Sequence, residues 1–486
     1  MKRKALCFLM GMLVLLLPGC QSEQEDLYSQ ALSDASAGSS EAAPGEAKKE
    51  LTVLVSYDNT QMNGLAEEYQ AAHPDVTINV EVGLSSAGQG GEDWNAFVER
   101  VTTELLSGEG PDLLVDPGAF TKQDYLTSDL VYDLREWMEN DPEFTLSDYY
   151  ENLFEAFTIE GHQFTFPLTY AINLAYLNKD LCDLGGWDFS PWEHITYGDV
   201  LDLYDAILAS GQISLPQEFT LEFMDQRGPE ALFKDIEIPS FIDSETKTCT
   251  FDSDQFIQYL ERTKSIPSNR SPGEVVSLSG GNVLELFSQS NSEAATSLLM
   301  RDSPYLSNLL DLTSIPENCA GPFVLSSTSG DTAFFADLTM VVPKSCTDPE
   351  LAWDFLKFCV SPVEVPAYAT AYHPEGSVDL VWGSLPMSRE NMERYSQLYG
   401  KIERIYRESS TLPAGFDPAS FDDPFSQEFL EKFDQAVSSL NFAVNDIAPM
   451  ESIYNPILKT YYGTNTLSAQ ECARQIQDRV EIWLNE

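Results

Sequence analysis

Residues 161–181 read GHQFTFPLTYAINLAYLNKDL, and this stretch decides how the rest of the chain is organised. Phe164, Phe166 and Leu168 alternate with smaller residues, a pattern that predicts an extended strand. Pro167 removes a backbone donor from that strand. It therefore favours an edge strand, or a segment that crosses between packed units, over a central strand.

A second extended run, residues 171–177, follows directly. Asn178 is typical of the cap of a short helix, and Gly185 and Gly186 are typical of its end. A segment of this kind can leave one packed unit and enter another. The alternative is an ordinary strand within a single large core.

The composition indicates a globular chain of more than one domain. Its 486 residues, 43% of them hydrophobic, predict two or three domains with sizeable cores. The net charge of −51 disfavours nucleic acids and anionic membrane surfaces as partners. Such a charge mostly serves solubility, and a cationic ligand is the alternative.

The first residues are typical of an export signal. The basic residues 2–4 precede a 13-residue apolar run, 5–17, whereas a bilayer span needs roughly 20 residues. The following Pro18-Gly19-Cys20 resembles a bacterial lipobox, so residues 1–19 are expected to be a lipoprotein signal peptide and Cys20 the lipidated residue. A diacylglyceryl group on Cys20 would anchor the chain stably. The alternative is an ordinary signal peptide.

Residues 20–49, rich in Ser, Ala, Glu and Gly, are predicted to be a disordered tether. The folded body begins at Leu51, and residues 51–115 alternate three strand patterns with two helical patterns. This order predicts a parallel sheet, whose ligand crevice lies beyond the carboxyl ends of its strands. Residues 57–59, 85–86 and 116–118 become candidate site segments for that reason.

Further along, three helix starts are marked by capping residues. These are Thr196 with Asp199, Asp348 with Pro349, and Ser468 with Glu471. Residues 212–281 contain only short periodic runs, and no clear elements are predicted there.

Patterns that indicate catalysis or metal binding are not found in the sequence. The four histidines are far apart, and the HExxH, GxSxG, P-loop and CxxC motifs do not occur. We therefore predict that the chain is not an enzyme, and that it has no catalytic residues, no metal and no cofactor.

Six cysteines follow the export signal, and buried free thiols are favoured over disulfides because their spacing selects no pairing. They are Cys182, Cys249, Cys319, Cys346, Cys359 and Cys472.

The tryptophans divide into two groups. Those on predicted helices favour core positions, and they are Trp94, Trp137, Trp353 and Trp483. Those in predicted loops are Trp187, Trp192 and Trp382. Together with Tyr57 and Tyr170, these tryptophans are candidates for stacking on a sugar ring. Asp58 and Asp116 are candidates for accepting hydrogen bonds from sugar hydroxyls.

Several separated segments, in this order, resemble the extracellular solute-binding proteins of family 1, the sugar-binding lipoproteins of ABC importers. The segments are 51–59, 64–67, 110–113, 166–168, 176–181, 348–356, 385–387 and 462–466 with the last helix.

The resemblance implies an α/β, two-lobed periplasmic-binding-protein-like fold of type II, with a hinge and a ligand cleft between the lobes. It places residues 50–166 and 331–383 in lobe 1, and residues 167–330 and 384–486 in lobe 2. The chain would first cross near 165–169, return near 329–331 and cross again near 382–385.

The resemblance also implies the ligand contacts. By position in maltodextrin-type relatives, the cleft is lined by Tyr57, Asp58, Asn59, Asp116, Thr169 and Tyr170. The loop patterns add Phe335 and Trp382. Asp116 replaces an aromatic residue of those relatives, and Ala171 replaces an acidic one, so plain maltodextrin is not the expected ligand.

The expected protein is a membrane-anchored, extracytoplasmic, monomeric receptor that delivers a mono- or oligosaccharide to ABC permease subunits. A binder of a cationic peptide or polyamine that uses Asp58 and Asp116 is the alternative within this class. A secreted hydrolase and a surface sensor or adhesin are alternatives from other classes.

Overall fold

The structure is a computed structural model whose described residues all belong to one compact unit, Lys49–Glu486. These residues are 49–84, 94–115, 118, 120–212, 220–222, 237–243, 246–264, 266, 297–302, 306–361, 370–372, 378–380, 384–409, 417–445, 450–464 and 466–485.

The body opens with the predicted alternation of strands and helices. The elements are β1 (Lys49–Val55), α1 (Thr60–Ala72), β2 (Val76–Val82), α2 (Trp94–Ser107) and β3 (Leu113–Val115). β1 lies between β2 and β3 and is parallel to both, so the predicted parallel sheet is confirmed.

Four later strands complete a seven-stranded sheet. They are β6 (Phe166–Ile172), β14 (Ala333–Val341), β17 (Leu385–Pro386) and β18 (Phe442–Ala443). The order is β17-β6-β14-β3-β1-β2, and β18 also pairs with β14. The β17 pairing covers only Thr169 and Tyr170, so Pro167 pairs with β14 alone. A residue without a backbone N–H fits this one-sided position.

Both faces of this sheet are covered. Leu51 and Val53 of β1 pack into the largest hydrophobic core, whereas Leu54 packs on the opposite face with Phe97 and Val101 of α2. Burial on both faces explains why β1 is a nearly continuous apolar run.

A second sheet has five strands in the order β8-β13-β7-β12-β9. They are β7 (Leu174–Asn178), β8 (His194–Thr196), β9 (Thr220–Glu222), β12 (Ser297–Asp302) and β13 (Cys319–Ser326). Two helices adjoin it, α6 (Lys179–Gly185) and α7 (Tyr197–Ala209). Their predicted caps are confirmed: Asn178 caps α6, Gly186 ends it in a left-handed conformation, and Thr196 with Asp199 forms the capping box of α7.

The chain passes between the two sheets at two neighbouring places. Asn173 separates β6 from β7, and residues 327–332 connect β13 to β14. Sheet membership thus changes a few residues after the predicted crossing at 165–169, and the predicted return at 329–331 falls inside the second connection. β17 and β18 still pair within the first sheet. The division into lobes stays a prediction.

A third core joins the C-terminal helices to the middle of the chain. Its helices are α8 (Asp254–Lys264), α12 (Glu451–Gly463) and α13 (Ala469–Asn485). Cys472, Ile476 and Val480 of α13 are buried as predicted. Ser468 and Glu471 make the predicted capping box.

Six helices, three two-stranded pairs and four 3-10 turns make up the rest of the described elements. The helices are α3 (Lys122–Ser128), α4 (Arg135–Asn140), α5 (Glu151–Glu155), α9 (Pro349–Val360), α10 (Arg389–Ser409) and α11 (Gln427–Ser438). The two-stranded pairs are β4 (Thr158–Ile159) with β5 (His162–Gln163), β10 (Ile242–Asp243) with β11 (Thr248–Cys249), and β15 (Thr370–Tyr372) with β16 (Val378–Leu380). Short 3-10 turns occupy Leu146–Asp148, Ile238–Phe241, Leu306–Thr313 and Pro418–Ser420.

The six cysteines of the body are all free and buried, which confirms the favoured prediction. Within the described part of the chain, no helix combines the length and apolar composition needed to cross a bilayer.

Candidate functional site

The topology directs attention to the carboxyl edge of the first sheet. β1, β2 and β3 are parallel, so the residues that follow them emerge at one edge. β14 runs antiparallel to β3, with Met340 opposite Val115, and its earlier residues therefore lie beyond the end of β3. β6 pairs with this part of β14 and extends past the same edge.

Two aromatic side chains are exposed at this edge. Tyr57 follows β1 and is 52% exposed, and Trp94 begins α2 and is 39% exposed. Their rings are stacked, with centroids 6.4 Å apart and an angle of 11° between the planes. Phe97, fully buried, supports Trp94 at a centroid distance of 5.8 Å. Together the two rings form an accessible apolar platform, which we call the Tyr57–Trp94 pair.

Polar side chains stand beside this pair. The exposed Asp58 accepts a hydrogen bond of 3.1 Å from the Asn63 side chain, which leaves further acceptor capacity on its carboxylate. Asn59 is the N-cap of α1, and its Oδ1 accepts from the Met62 N–H at 2.9 Å. The Asn59 side chain thus has a structural task at the start of α1.

Phe335 of β14 is a third exposed aromatic residue, with 43% of its surface accessible. Asp337, two positions along, is exposed as well and accepts a hydrogen bond from the Ser384 hydroxyl. Because residues two apart on a strand share a face, β14 presents an aromatic ring and a carboxylate on the same side.

Two of the predicted contacts are buried side chains. Thr169 and Tyr170 are both fully buried, and the Tyr170 ring packs edge-on against Tyr150 at 5.8 Å. Burial, reinforced by Tyr150, raises the pKa of Tyr170 well above its usual value. Neither side chain is exposed to a ligand in this structure, because β6 is covered on both of its faces.

Three further predicted positions, Cys20, Asp116 and Trp382, lie outside the described residues. Trp94 was predicted to be a core residue and is instead exposed, so this part of the prediction is wrong. The available signal was its position directly after the loop that follows β2, at the carboxyl edge of the sheet. Among the described residues, no three His, Cys, Asp or Glu side chains are grouped closely enough to hold a metal ion.

A comparison with family models gives one match. Residues 56–365 match the family described as bacterial extracellular solute-binding protein. None of the curated proteins matches the chain.

Solved structures of similar fold cover most of the chain. The ABC substrate-binding protein from Listeria monocytogenes in complex with cycloalternan is 17% identical, with 90% of this chain and 99% of that chain covered and a TM-score of 0.54. The sugar-binding protein MalE from Xanthomonas citri is 14% identical, with coverages of 90% and 98% and a TM-score of 0.55. A putative oligosaccharide periplasmic-binding protein from Synechococcus is 15% identical, with coverages of 90% and 99% and a TM-score of 0.54. At these identities the likeness shows the fold, a periplasmic-binding-protein-like α/β architecture.

Proposed function

The chain belongs to the bacterial extracellular solute-binding protein family, and we propose that it captures a mono- or oligosaccharide outside the cell for an ABC importer. The observation that carries this proposal is the Tyr57–Trp94 pair at the carboxyl edge of the parallel sheet. An exposed apolar ring surface beside hydrogen-bond acceptors suits a sugar, which has an apolar ring face and polar hydroxyl groups at its rim.

The proposed contacts are the Tyr57–Trp94 pair, Asp58 and Phe335, with Asp116 and Trp382 added from their sequence positions. Asp58 accepts hydrogen bonds from hydroxyl groups, and the aromatic rings pack against the sugar. Similar structures include one in complex with cycloalternan and one of a sugar-binding protein, which is consistent with a carbohydrate ligand.

Capture requires that the ligand bind one conformation better than another, because a ligand shifts an equilibrium only by its differential affinity. We propose that the two sheets belong to lobes that close over the solute, with Asn173 and residues 327–332 as the bending segments. The closed form would then dock on permease subunits. Cys20 would carry the lipid anchor, residues 21–49 would serve as the tether, and the protein would act as a monomer without catalysing a reaction.

Thermal unfolding of the purified protein against sugars, amino acids, peptides and polyamines tests this proposal. A ligand at about 100 times its Kd stabilises the folded state by roughly 2.7 kcal/mol, which is visible as a higher Tm. We expect the shift among the sugars. A shift among cationic solutes, with no shift for any sugar, would contradict the carbohydrate proposal. Stabilisation by a partner protein alone would favour the sensor or adhesin.

A further inference from the structure

A cavity of about 380 Å³ lies between α7 and α8, away from the Tyr57–Trp94 pair. Its volume falls within the range of roughly 300–1,000 Å³ that is usual for small-molecule sites. The lining combines three aromatic rings, two glutamines and one deeply buried carboxylate. The lining includes Tyr197, Glu237, Phe241, Gln258, Tyr259 and Thr328.

Glu237 is the distinctive group of this cavity, with only 1% of its surface exposed. Its carboxylate accepts from the Thr328 backbone N–H at 3.2 and 3.3 Å and from the Thr328 hydroxyl at 3.1 Å. Ser240 is a further hydrogen-bond partner. These donors are all neutral, and their hydrogen bonds lower the pKa of Glu237. Burial has the larger effect and raises that pKa to about 7.

A buried carboxylate with neutral partners is a poor place for a negative charge, and a cationic ligand would remove that cost. Three aromatic rings line the cavity with it: Tyr197 and Tyr259 lie 5.9 Å apart between centroids, and Phe241 is buried. Aromatic rings attract cations that lie over their faces. The amide oxygen of Gln258 can accept from an ammonium group.

The cationic side chain on the cavity wall is already engaged. Arg262 of α8 donates to Asp202 at 2.7 Å and to Asp205 at 2.7 and 3.0 Å. Its charge is therefore balanced by two carboxylates of α7. An anionic ligand would have to compete with both of them and would face Glu237 as well.

We propose that this cavity is a second binding site that takes a small primary ammonium compound, with Glu237 as its counterion. The site is independent of the proposed carbohydrate site. It adjoins the chain crossing, because Thr328 belongs to the connection 327–332 between β13 and β14. An occupant therefore contacts the segment through which the second sheet continues into the first.

Binding should depend on pH, because a proton and the ammonium group compete for Glu237. With a pKa of about 7, the apparent affinity should fall about tenfold from pH 8 to pH 6. The other titratable or charged groups that line the cavity are Tyr197 of α7 and Tyr259 and Arg262 of α8. Charged groups on the neighbouring elements also include Asp202 and Asp205 of α7, Glu261 of α8 and Asp331 of the connection. Burial raises the pKa of Tyr259 well above its usual value, so it stays neutral over this interval.

The test is calorimetric titration of the purified full chain with benzylammonium chloride, and with benzyl alcohol as the neutral control of similar shape. We expect saturable binding of benzylammonium at millimolar concentration and pH 8, about tenfold weaker binding at pH 6, and at least tenfold weaker binding of benzyl alcohol at pH 8. Glu237→Gln should weaken benzylammonium binding at least tenfold and remove its pH dependence. Glu261→Gln, which alters an exposed carboxylate of α8, should leave both unchanged.

Equal affinities at pH 6 and pH 8 in the unsubstituted protein would overturn the proposal without any variant, as would no saturable binding. Equal effects of Glu237→Gln and Glu261→Gln would instead assign the binding to the net negative charge of the chain, and would also overturn it. Titrating the Glu237→Gln protein with the sugar found by the unfolding screen separates the two sites, because carbohydrate binding there should be unchanged.

Discussion

The side-chain amide of Asn445 pairs with both backbone groups of Ala336. Its Oδ1 accepts from the Ala336 N–H at 2.9 Å, and its Nδ2 donates to the Ala336 carbonyl at 2.9 Å. β18 ends at Ala443, opposite Phe334 of β14. Asn445 thus continues the strand pairing by a side chain, at the place where β14 extends beyond the edge of β3.

Asn445→Ala should therefore destabilise this part of β14. The buried Ala336 N–H and carbonyl would lose their partners, at a cost of about 1–3 kcal/mol in the free energy of unfolding. Hydrogen exchange of the Ala336 amide should become faster, whereas Asn140→Ala, at an exposed position on α4, should change neither quantity. Unchanged protection of the Ala336 amide would show that this bidentate contact does not hold the strand.

Trp94→Ala should weaken carbohydrate binding with little effect on folding. Removing one ring of the Tyr57–Trp94 pair deletes half of the platform, and we expect a loss of affinity of about tenfold or more, measured by titration calorimetry. Stability should fall by less than about 1 kcal/mol because the side chain is exposed. Leu106→Ala on the same helix, 69% exposed, is the matched control and should leave affinity unchanged. Equal affinities of the two variants would remove Trp94 from the site.

Asp112 should be important for stability and not for ligand binding. The residue is 8% exposed, and its carboxylate accepts from the Thr52 N–H at 2.8 Å, from the Thr347 N–H at 2.7 Å and from the Thr347 hydroxyl at 2.8 Å. Asp112→Ala leaves all three donors without this partner, and we expect a loss of about 3 kcal/mol in urea unfolding. Asp112→Asn keeps one acceptor oxygen and should recover part of the loss. Replacing the exposed Asp188 by Ala is the control and should cause almost no loss of stability.

Glu403 predicts a pH dependence of stability. Burial raises its pKa from 4.5 to about 7. Arg407, which forms ion pairs with both Glu403 and Asp311, lowers the pKa of Glu403 but does not offset the effect of burial. The folded state thus favours the protonated carboxyl. This contribution is fully present below about pH 4.5 and is lost as the pH rises through about 7.

Between pH 5 and pH 8, the free energy of unfolding should therefore fall by up to about 3 kcal/mol more in the unsubstituted protein than in Glu403→Gln. Urea unfolding at several pH values measures the two slopes. Glu408→Gln, at an exposed position of the same helix, should retain the slope of the unsubstituted protein. If Glu403→Gln retains it too, Glu403 is not the group that titrates.

The first half of the first sheet could be predicted because local signals agree there. Asn59 caps α1, and the apolar spacing along α2 matches its buried residues Phe97, Val101 and Leu105. The capping residues at Thr196, Asp348 and Ser468 each mark a real helix start, because a side-chain acceptor satisfies backbone N–H groups within the same turn.

The candidate site could be predicted less well, because exposure depends on distant chain. Trp94 lies on the apolar stripe of α2, but it is the first residue of the helix and is exposed, which periodicity along one helix does not encode. The burial of Tyr170 also depends on distant chain. β17 and β14 flank its strand, and Tyr150 covers its ring, and these partners come from segments far away in sequence.

The two neighbouring crossings also have a consequence for protein engineering. Ile172 is opposite Phe334 in the first sheet, and Leu174 is opposite Val324 in the second, so the segment 174–324 enters and leaves at adjacent positions. The segment is therefore arranged as an insertion whose first and last residues lie next to each other. We expect that such a segment can be exchanged with that of another family member through junctions at 173 and 327–332, provided that the helices packed against it are exchanged too. The exchange must include α12 and α13, since these helices share a core with residues 238–260.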